Sequence, residues 1–410
     1  MKLRDRFAAA MDAVLAGAHP ETLCVAVSGG SDSLALLALT CDWAGPGVAV
    51  EAVTVDHGLR AGSAEEARQV AEAARSLRAR HRVLRWQGWD GSGNLQAGAR
   101  AARRRLITEY CAAQGIGAVL YGHTRDDQAE TLLMRLARGS GVDGLAAMSA
   151  GRYGQSLFLR PLLTETRADL RDFLTARGMA WAEDPSNDDP GFERVRMRRA
   201  MVELGLDAAR LAATATAMAR ARMALERRAH DVAQEIVTET NGLLSFDAAA
   251  LGDIEEETRL RLVAHALKCL SSAPYRPRLQ ALSEVLASAL AGRSGTLQGC
   301  HLIAHRGRLL ICREYQAVAG LEMEAIEGSW WDDRWQITAP DLPAARIRAL
   351  GSAGVKQVPR PQGVPHAALA SYPGLWQGDK LCAVPGLLND NLMAYRYAPS
   401  ASFHRTILSH

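Results

Sequence analysis

A short run of serine and glycine, residues 28–33 (SGGSDS), most constrains what this chain can fold into. The run directly follows an apolar segment at 22–27 and directly precedes a helical pattern. Its glycines allow a sharp turn and a close approach of the backbone to an anion. Serine hydroxyls and the N–H groups that open a helix donate to phosphate oxygens. The run therefore predicts a phosphate-binding loop between a strand and a helix, with an ordinary helix-capping turn as the plainer alternative.

The same order of strand and helix repeats through the first half of the chain. Apolar runs at 48–55, 81–86 and 118–121 alternate with helical patterns at 64–80, 97–114 and 126–138. This alternation predicts an α/β fold with a doubly wound parallel sheet and helices on both of its faces. Ligands bind at the carboxyl ends of such strands. Asp56 and His57 follow the second strand, and His123 follows the fourth, so all three are expected on that edge.

Length and composition predict more than one domain. The chain has 410 residues, well above the roughly 150 that are usual for one domain. Its 48% hydrophobic and 23% charged residues are typical of a soluble globular protein. Changes of pattern predict an α/β domain over 1–204, a helical domain over 205–292, and a small β-rich α+β domain over 293–410. Within the last, a β-hairpin is expected over 301–312.

Several classes of protein are excluded. No apolar run reaches the roughly 20 residues that a membrane helix needs. Phe7, Met11 and Leu15 recur every four residues, which predicts an amphipathic helix rather than an export signal over 1–18. The seven cysteines include no CxxC pair, which argues against a disulfide scaffold and a structural zinc site. These features predict a cytoplasmic protein with no membrane partner.

Acidic residues accompany the predicted loop at two places. Asp32 cannot bind phosphate directly because like charges repel, so we expect it to hold a magnesium ion that bridges phosphates. Asp127 and Glu130 are three residues apart in the first turns of a predicted helix, so they share a face. They are candidates to bind magnesium or the ammonium group of an amine. Capping of a helix N-terminus by acidic residues is the alternative.

Basic residues are concentrated in two stretches, although the net charge is only +3. Residues 75–105 contain nine arginines and one acidic residue, and residues 194–228 contain nine arginines and three acidic residues. Such stretches suit an RNA backbone, with solvated helix faces as the alternative. Trp86, Trp89 and Phe192 are candidates to stack on an RNA base, with simple packing as the plainer explanation.

As a set, these motifs resemble the PP-loop N-type ATP pyrophosphatases and, more narrowly, the tRNA(Ile)-lysidine synthetase family. The SGGxDS pattern marks the wider group. The narrower resemblance covers residues 20–200 closely and rests on segments 56–60, 94–100, 122–131, 138–145, 160–163 and 181–187. Beyond residue 200 the resemblance is weaker, and segments 295–314 and 373–387 are only suggestive.

The resemblance implies an ATP-dependent ligase that joins free lysine to the wobble cytidine of a tRNA-isoleucine with a CAU anticodon. ATP adenylates the 2-carbonyl oxygen of the base, and an amine of lysine, the ε-amine in the family, then displaces AMP. The cofactors implied are ATP and Mg²⁺, and the partners are tRNA-isoleucine and lysine. The helical domain over 205–292 is expected to contact the tRNA. The oligomeric state stays open, with a homodimer as one option.

Specific roles are expected for individual residues. Asp32 and Asp127 are the predicted catalytic residues and the predicted magnesium ligands. ATP is expected to contact Ser28, Gly29, Gly30, Ser31, Asp32, Ser33, Asp56, His57 and His123. The tRNA is expected to contact Arg194, Arg198, Arg220 and Arg222.

Two positions depart from the family pattern, and three alternative functions stay in view. Val195 stands where the family usually has asparagine, and Arg104 stands where relatives often carry tyrosine. A PP-loop tRNA thiolase would use paired cysteines, whereas Cys24, Cys41 and Cys111 are widely spaced. An amidotransferase would need a glutaminase pattern, and none stands out. A non-catalytic RNA-binding protein would have no need of an intact SGGSDS loop.

Overall fold

The structure is a computed structural model, and the chain divides into two compact units, Met1–Arg222 and Met223–Ser409. It describes residues 2–18, 20–58, 63–87, 89, 95–183, 189–338, 342, 344–359, 361–389, 394–397 and 402–408. Within these ranges no helix combines the length and the apolar character needed to cross a membrane.

The first unit alternates strands and helices as the sequence predicts. Its elements are α1 Leu3–Leu15, β1 Thr22–Ala26, α2 Ser31–Ala44, β2 Ala49–Asp56, α3 Ser63–Ser76, β3 Arg80–Arg85, α4 Leu95–Gln114, β4 Ala118–Tyr121, α5 Arg125–Leu136, α6 Val142–Leu145, β5 Gly151–Tyr153, β6 Ser156–Leu159, α7 Arg167–Ala176, α8 Glu193–Glu203 and α9 Ala208–Ile236. Helix α9 begins in this unit and ends in the second.

Six strands of the first unit form one sheet in the order β3-β2-β1-β4-β6-β5. All neighbours are parallel except β5, which runs antiparallel to β6 at the edge. Ala26 of β1 pairs with Val53 of β2 and with Tyr121 of β4, so the carboxyl ends of these three strands meet at one edge. The predicted α/β class with a doubly wound parallel sheet is confirmed.

Helices cover both faces of this sheet. On one face α1, α2, α3 and α7 share a core with β1, and Phe7, Met11 and Leu15 of α1 are buried in it. The four-residue spacing of these three side chains is the reason that α1 buries one face. On the other face Ile107 and Cys111 of α4 pack on the sheet. The sheet edge is therefore the open part of this layer for a ligand.

The second unit is built from smaller antiparallel sheets and short helices. Its elements are β7 Val237–Thr240, β8 Leu243–Asp247, α10 Ala248–Asp253, α11 Glu256–Ser271, α12 Leu279–Leu290, β9 Gly295–Leu297, β10 Cys300–His305, β11 Arg308–Arg313, α13 Tyr315–Val318, β12 Glu322–Glu324, β13 Trp330–Trp331, β14 Trp335–Thr338, β15 Arg346–Ala349, α14 Gly351–Val355, α15 His366–Leu369, β16 Pro373–Gln377, β17 Lys380–Ala383, β18 Ala394–Tyr397 and α16 Phe403–Thr406. The described strands form sheets β7-β8-β11-β10-β9, β12-β15-β16-β17 and β13-β14-β18.

Two hairpins of the second unit differ in whether the sequence predicts them. The hairpin expected over 301–312 is present as β10 and β11, joined by Arg306 and Gly307, which both have positive φ. A second hairpin, β7 and β8, turns at Asn241 and Gly242 with φ of 45° and 74°. Asn-Gly favours this turn, and it lies within the domain over 205–292 that the sequence predicts to be helical. The domain boundaries at 204 and 292 stay a prediction.

Candidate active site

Residues 28–33, which we call the serine loop, connect β1 to α2 at the carboxyl edge of the parallel sheet. Gly29 has φ of +91°, a left-handed conformation in which any side chain would be strained. Gly30 is extended and precedes Ser31, the first residue of α2. The positive end of the α2 dipole therefore lies at the loop, where it favours an anion.

Hydroxyl groups hold the shape of the serine loop. Ser33 Oγ accepts a hydrogen bond from Ser28 N–H at 3.1 Å and donates one to the Gly30 carbonyl at 3.0 Å. Ser31 Oγ donates to Asp32 Oδ1 at 3.1 Å. Ser31 and Ser33 are buried, whereas Ser28 is exposed. The loop is thus shaped before a ligand arrives, which lowers the ordering cost of binding.

Strand β4 approaches the serine loop very closely at its carboxyl end. A Cβ atom on Gly122 would lie 3.0 Å from the Asp32 carbonyl oxygen and 3.1 Å from Ser33 Cα. Glycine is required here because any side chain would push the two backbones apart. This contact holds the loop next to the strand end that carries His123.

Arg167, the first residue of α7, lies between three carboxylates. Its Nε is 3.3 Å from Asp32 Oδ2, and its Nη2 is 2.5 Å from Asp127 Oδ1. Its Nη1 is 3.0 Å from Glu130 Oε1. One guanidinium therefore joins the acidic residue of the serine loop to the two acidic residues predicted on α5.

Two arginines of α8, which are one helical turn apart, approach two of the same carboxylates. Arg194 Nη1 is 3.9 Å from Asp127 Oδ1, and Arg198 Nη2 is 3.0 Å from Glu130 Oε1. Three carboxylates thus meet three guanidinium groups. We call this set the carboxylate–arginine cluster, and its members are Asp32, Asp127, Glu130, Arg167, Arg194 and Arg198.

Asp127 serves the cluster and caps a helix at the same time. Its Oδ2 accepts hydrogen bonds from Thr124 N–H at 2.8 Å and from Thr124 Oγ1 at 3.0 Å, at the start of α5. Its Oδ1 faces Arg167. Asp126 instead accepts the backbone N–H of Arg167 at 3.0 Å. The capping interpretation of these acidic residues is therefore correct for Asp127 but does not account for all its contacts.

The charges of the cluster are strongly coupled. Burial raises the pKa of Asp32, and the charge of Asp127 adds to this effect while Arg167 opposes it. Burial acts in the same direction on Asp127, but Arg167 and the Thr124 N–H outweigh it and hold the pKa of Asp127 below its usual value. Burial disfavours the charge of Arg167, yet Asp127 and Glu130 raise the pKa of Arg167 well above its usual value. Asp127 and Arg167 thus stay charged, whereas burial works against the charge of Asp32.

The other predicted ATP contacts lie at neighbouring strand ends. Asp56 ends β2 and accepts the Gly58 N–H at 2.9 Å, and the next residue, His57, packs edge-on against Trp86. His123 follows β4, and burial, reinforced by Arg160, lowers its pKa to about 3. Both ring nitrogens of His57 and Nδ1 of His123 are buried, with no hydrogen-bond partner among the described residues. These atoms are suited to polar groups of a bound ligand.

The four arginines predicted to contact tRNA fall into two sets. Arg194 and Arg198 belong to the carboxylate–arginine cluster, so their charges are already paired within the site. Arg220, on α9, is exposed. Burial lowers the pKa of Arg135, and the charge of the half-buried Arg222 lowers it further, so these two cations lie close together.

Sequence reasoning missed Arg167, the residue that joins the cluster. A sequence clue exists, because an arginine at the first position of a helix opposes the helix dipole. Thr166 caps α7 by accepting the Asp169 N–H at 3.0 Å, so the helix starts at Arg167 despite that cost. Next to it, the buried Glu165 is held by the guanidinium of Arg6, with Nη2 2.6 Å from Oε2.

Val195 of α8, which stands where the family usually has asparagine, is buried. Of the segments that carry the resemblance, residues 59–60, 94 and 184–187 lie outside the described residues.

The donor groups of the site fit a small hard cation only in combination with a phosphate ligand. In the described part of the chain, no group of three or more Asp, Glu, His or Cys side chains is placed to hold a metal. Asp32 and Asp127 nevertheless reach one guanidinium from two sides. Magnesium commonly takes one or two carboxylates and completes its shell with water and substrate phosphates, which matches two carboxylates beside a phosphate loop.

Fold, loop and site define a PP-loop protein: a family model described as a PP-loop domain matches residues 3–204. The chain is 42% identical over 400 residues to the tRNA(Ile)-lysidine synthase of Ruegeria pomeroyi, an alignment that covers 95% of each protein. It is 43% identical over 282 residues to the tRNA(Ile)-lysidine synthase of Rhodopseudomonas palustris, covering 66% of this chain and 81% of that protein. The chain belongs to the tRNA(Ile)-lysidine synthase family.

Among solved structures, one that matches part of this chain is the U34-tRNA thiolase NcsA from Methanococcus maripaludis. It matches 53% of this chain and 78% of its own chain, with 14% sequence identity and a TM-score of 0.45.

Proposed function

We propose that this chain uses ATP to ligate lysine to the wobble cytidine of tRNA-isoleucine with a CAU anticodon, and so makes lysidine, AMP and pyrophosphate. The observation that carries the proposal is the convergence of Asp32, Asp127 and Glu130 on Arg167 beside the serine loop. Phosphate-binding groups with carboxylates beside them can align ATP, hold a magnesium ion and receive an amine, and adenylyl transfer followed by amine attack uses all three. The membership in the family supports the same reaction.

The reaction consists of two displacements. The 2-carbonyl oxygen of cytidine attacks the α-phosphorus of ATP, and the bond from that phosphorus to the leaving pyrophosphate breaks. The ε-amine of lysine then attacks C2 of the base and loses a proton, and the C2–O bond breaks as AMP leaves with the oxygen. The protein accelerates both steps by alignment and by charge stabilisation.

The serine loop binds the triphosphate in this proposal. Backbone N–H groups at the start of α2 and the exposed Ser28 hydroxyl donate to phosphate oxygens. The adenosine lies toward the strand ends that carry Asp56, His57 and His123. The buried ring nitrogens of the two histidines offer it polar contacts. Gly122 keeps this edge in register with the loop.

Asp32 and Asp127 are the proposed magnesium ligands and catalytic residues. When bound, the ion neutralises the phosphate charge that these two carboxylates would otherwise repel. Arg167 positions both carboxylates, and Glu130 is the further acceptor for the incoming amine, since its Oε2 is buried without a hydrogen-bond partner among the described residues. A carboxylate beside the amine stabilises the positive charge that develops on its nitrogen during the attack, until the proton leaves.

The tRNA is proposed to lie along the arginines of the first unit. Arg220 and Arg222 on α9 are the proposed phosphate contacts, whereas Arg194 and Arg198 act beside the reacting groups. The domain over 205–292 and the homodimer stay predictions, and light scattering on the purified protein tests the latter.

The products of ATP cleavage test the proposed function. With tRNA, ATP and lysine present, we expect AMP and pyrophosphate in equal amounts. Without lysine, pyrophosphate should still form once per active site, but AMP should not be released. Formation of ADP and phosphate would contradict the proposal, because cleavage would then occur at the wrong phosphorus.

A further inference from the structure

A groove of about 650 Å³ runs along one flank of α4 in the first unit. Its wall includes Gly98, Ala101, Ala102 and Thr108, which place little bulk on that side of the helix. From Gly98 to Thr108 the groove extends about 15 Å at 1.5 Å per helical residue. This volume lies within the range of sites that take small organic groups such as a nucleobase, roughly 300–1,000 Å³.

Aromatic groups stand at both ends of the groove. At one end lies Trp86, whose ring centroid is 5.8 Å from that of Trp89. Both indoles reach the bare backbone of Gly98, where a Cβ atom would lie 2.8 Å from Trp89. At the other end the Arg104 guanidinium lies over the Tyr153 ring, 4.5 Å from its centroid. Tyr153 is 37% exposed, and its ring also meets Phe158 nearly at a right angle, with the centroids 5.1 Å apart.

The cations of α4 connect this groove to the candidate active site. Arg100 lies close enough to His123 to contribute to the lowering of its pKa, which burial dominates. Arg103 has the corresponding secondary effect on His57. Arg104 and Arg105 line the groove itself, and Arg105 pairs there with Glu109 at 3.1 Å. Residues 100–105 of α4 hold four arginines and no acidic residue, and a phosphodiester chain matches that charge.

We propose that this groove binds one unpaired nucleotide of the tRNA anticodon loop, next to the cytidine that is modified. The inference rests on the proposed function and names a second RNA contact for it. The base stacks on Tyr153 and its phosphate contacts Arg104, while Trp86 closes the other end of the groove. Single-stranded RNA is held in this way because every base has an aromatic face, whatever its sequence. In this position Arg104, a departure from the family pattern, braces the stacking ring.

The proposal is tested with an anticodon stem-loop labelled at one end, whose affinity is measured by fluorescence anisotropy. Tyr153→Ala should weaken binding about tenfold, as expected for the loss of one base–aromatic stack. Tyr153→Phe should bind as the wild type does, because the ring is kept. Arg68→Ala, on the exposed surface of α3, is the control and should leave affinity unchanged.

Three further results discriminate among occupants. ATP affinity should be equal in the wild type and Tyr153→Ala, and a selective loss of ATP affinity would show that the groove takes the adenine of ATP, which overturns the proposal. Equal stem-loop affinity of Tyr153→Ala and the wild type would overturn it as well. In that case normal lysidine formation by the wild type would leave the proposed function standing. Failure of the wild-type protein to bind the stem-loop at all would contradict both.

Discussion

The serine loop and the carboxylate–arginine cluster meet at Asp32, yet they are built from different kinds of contact. The loop is closed by hydrogen bonds between residues at most five apart, such as Ser28 with Ser33. The cluster is closed by ion pairs between distant segments, and Asp32 and Arg167 are 135 residues apart. The loop offers neutral donors, whereas the cluster brings together three negative and three positive charges.

This difference determines how each part fails. A neutral hydrogen bond contributes about 0.5–1.5 kcal/mol net to the free energy of unfolding, so the fold tolerates the loss of one hydroxyl of the loop. Removal of one partner from a buried ion pair leaves an uncompensated charge, which costs roughly 3–5 kcal/mol. Asp32 belongs to both parts, so substitution there should affect the phosphate site and the balance of charges together.

The largest effect is expected for Asp32→Asn. The amide keeps the shape of the side chain but cannot neutralise a cation, so pyrophosphate release should fall at least about a hundredfold. The control is Asp12→Asn on the exposed side of α1, which should release pyrophosphate at the wild-type rate. Near wild-type release by Asp32→Asn would remove Asp32 from the proposed chemistry.

Arg167→Met tests the cluster by leaving three carboxylates with one fewer cation. The free energy of unfolding should fall by about 3 kcal/mol, measured with denaturant, because buried charge is left unpaired. Added Mg²⁺ should restore part of the loss in this variant and have little effect on the wild type. Arg68→Met breaks an exposed pair with Glu65 and should cost less than about 1 kcal/mol. Equal losses in the two variants would show that Arg167 is only a surface charge.

Gly122→Ala tests the close approach of β4 to the serine loop without changing any charged group. The new Cβ would press on the Asp32 carbonyl, and overpacking of this kind costs about 1–3 kcal/mol. We expect kcat/KM for ATP to fall about tenfold with every charged group intact. Gly117→Ala, just before the same strand and with open space around its Cα, is the matched control. If both variants keep full activity, the close approach of β4 to the loop has no functional role.

Arg220→Ala and Arg198→Ala distinguish RNA contacts from cluster contacts. The exposed Arg220 should affect only tRNA binding, and its loss should flatten the plot of log affinity against log salt by about 0.7–0.9. Arg198 is paired with Glu130, so its loss should lower catalysis with the salt slope nearly unchanged. The opposite assignment of effects would place the tRNA on the cluster rather than on α9.

The smallest effect is expected for Cys41→Ser, which probes a group outside both parts. Burial, reinforced by Asp42, raises the pKa of Cys41 to about 11, so its thiol is protonated and unreactive at neutral pH. Turnover should stay within about twofold of the wild type. A loss of several orders of magnitude in a folded protein would instead indicate sulfur chemistry.

The serine loop could be predicted from sequence because its chemistry and its geometry come from adjacent residues. The parallel sheet then places Asp56, His57 and His123 at the same edge without knowledge of side-chain contacts. The cluster could not be predicted in this way. Its ion pairs join α2, α5, α7 and α8, and their proximity arises only from packing of the folded unit.

Arg194 and Arg198 illustrate the same limit. A run of arginines carries the same charge whether it faces RNA or a buried carboxylate. Composition therefore favours a nucleic-acid contact in either case. The structure distinguishes them, because Glu130 is buried and lies 3.0 Å from Arg198. The hairpin at Asn241 and Gly242 is a different case, since its Asn-Gly turn signal is present in the sequence and lies in a domain whose other patterns are helical.

Mass analysis of nucleosides tests the central claim most directly. Wild-type protein and Asp32→Asn are each incubated with tRNA-isoleucine carrying a CAU anticodon, ATP, Mg²⁺ and lysine, and the tRNA is then digested. We predict that the wild type converts cytidine into a nucleoside heavier by one lysine less one water, and that Asp32→Asn does not. Unmodified cytidine after incubation with the wild type, or equal conversion by both proteins, would contradict the account.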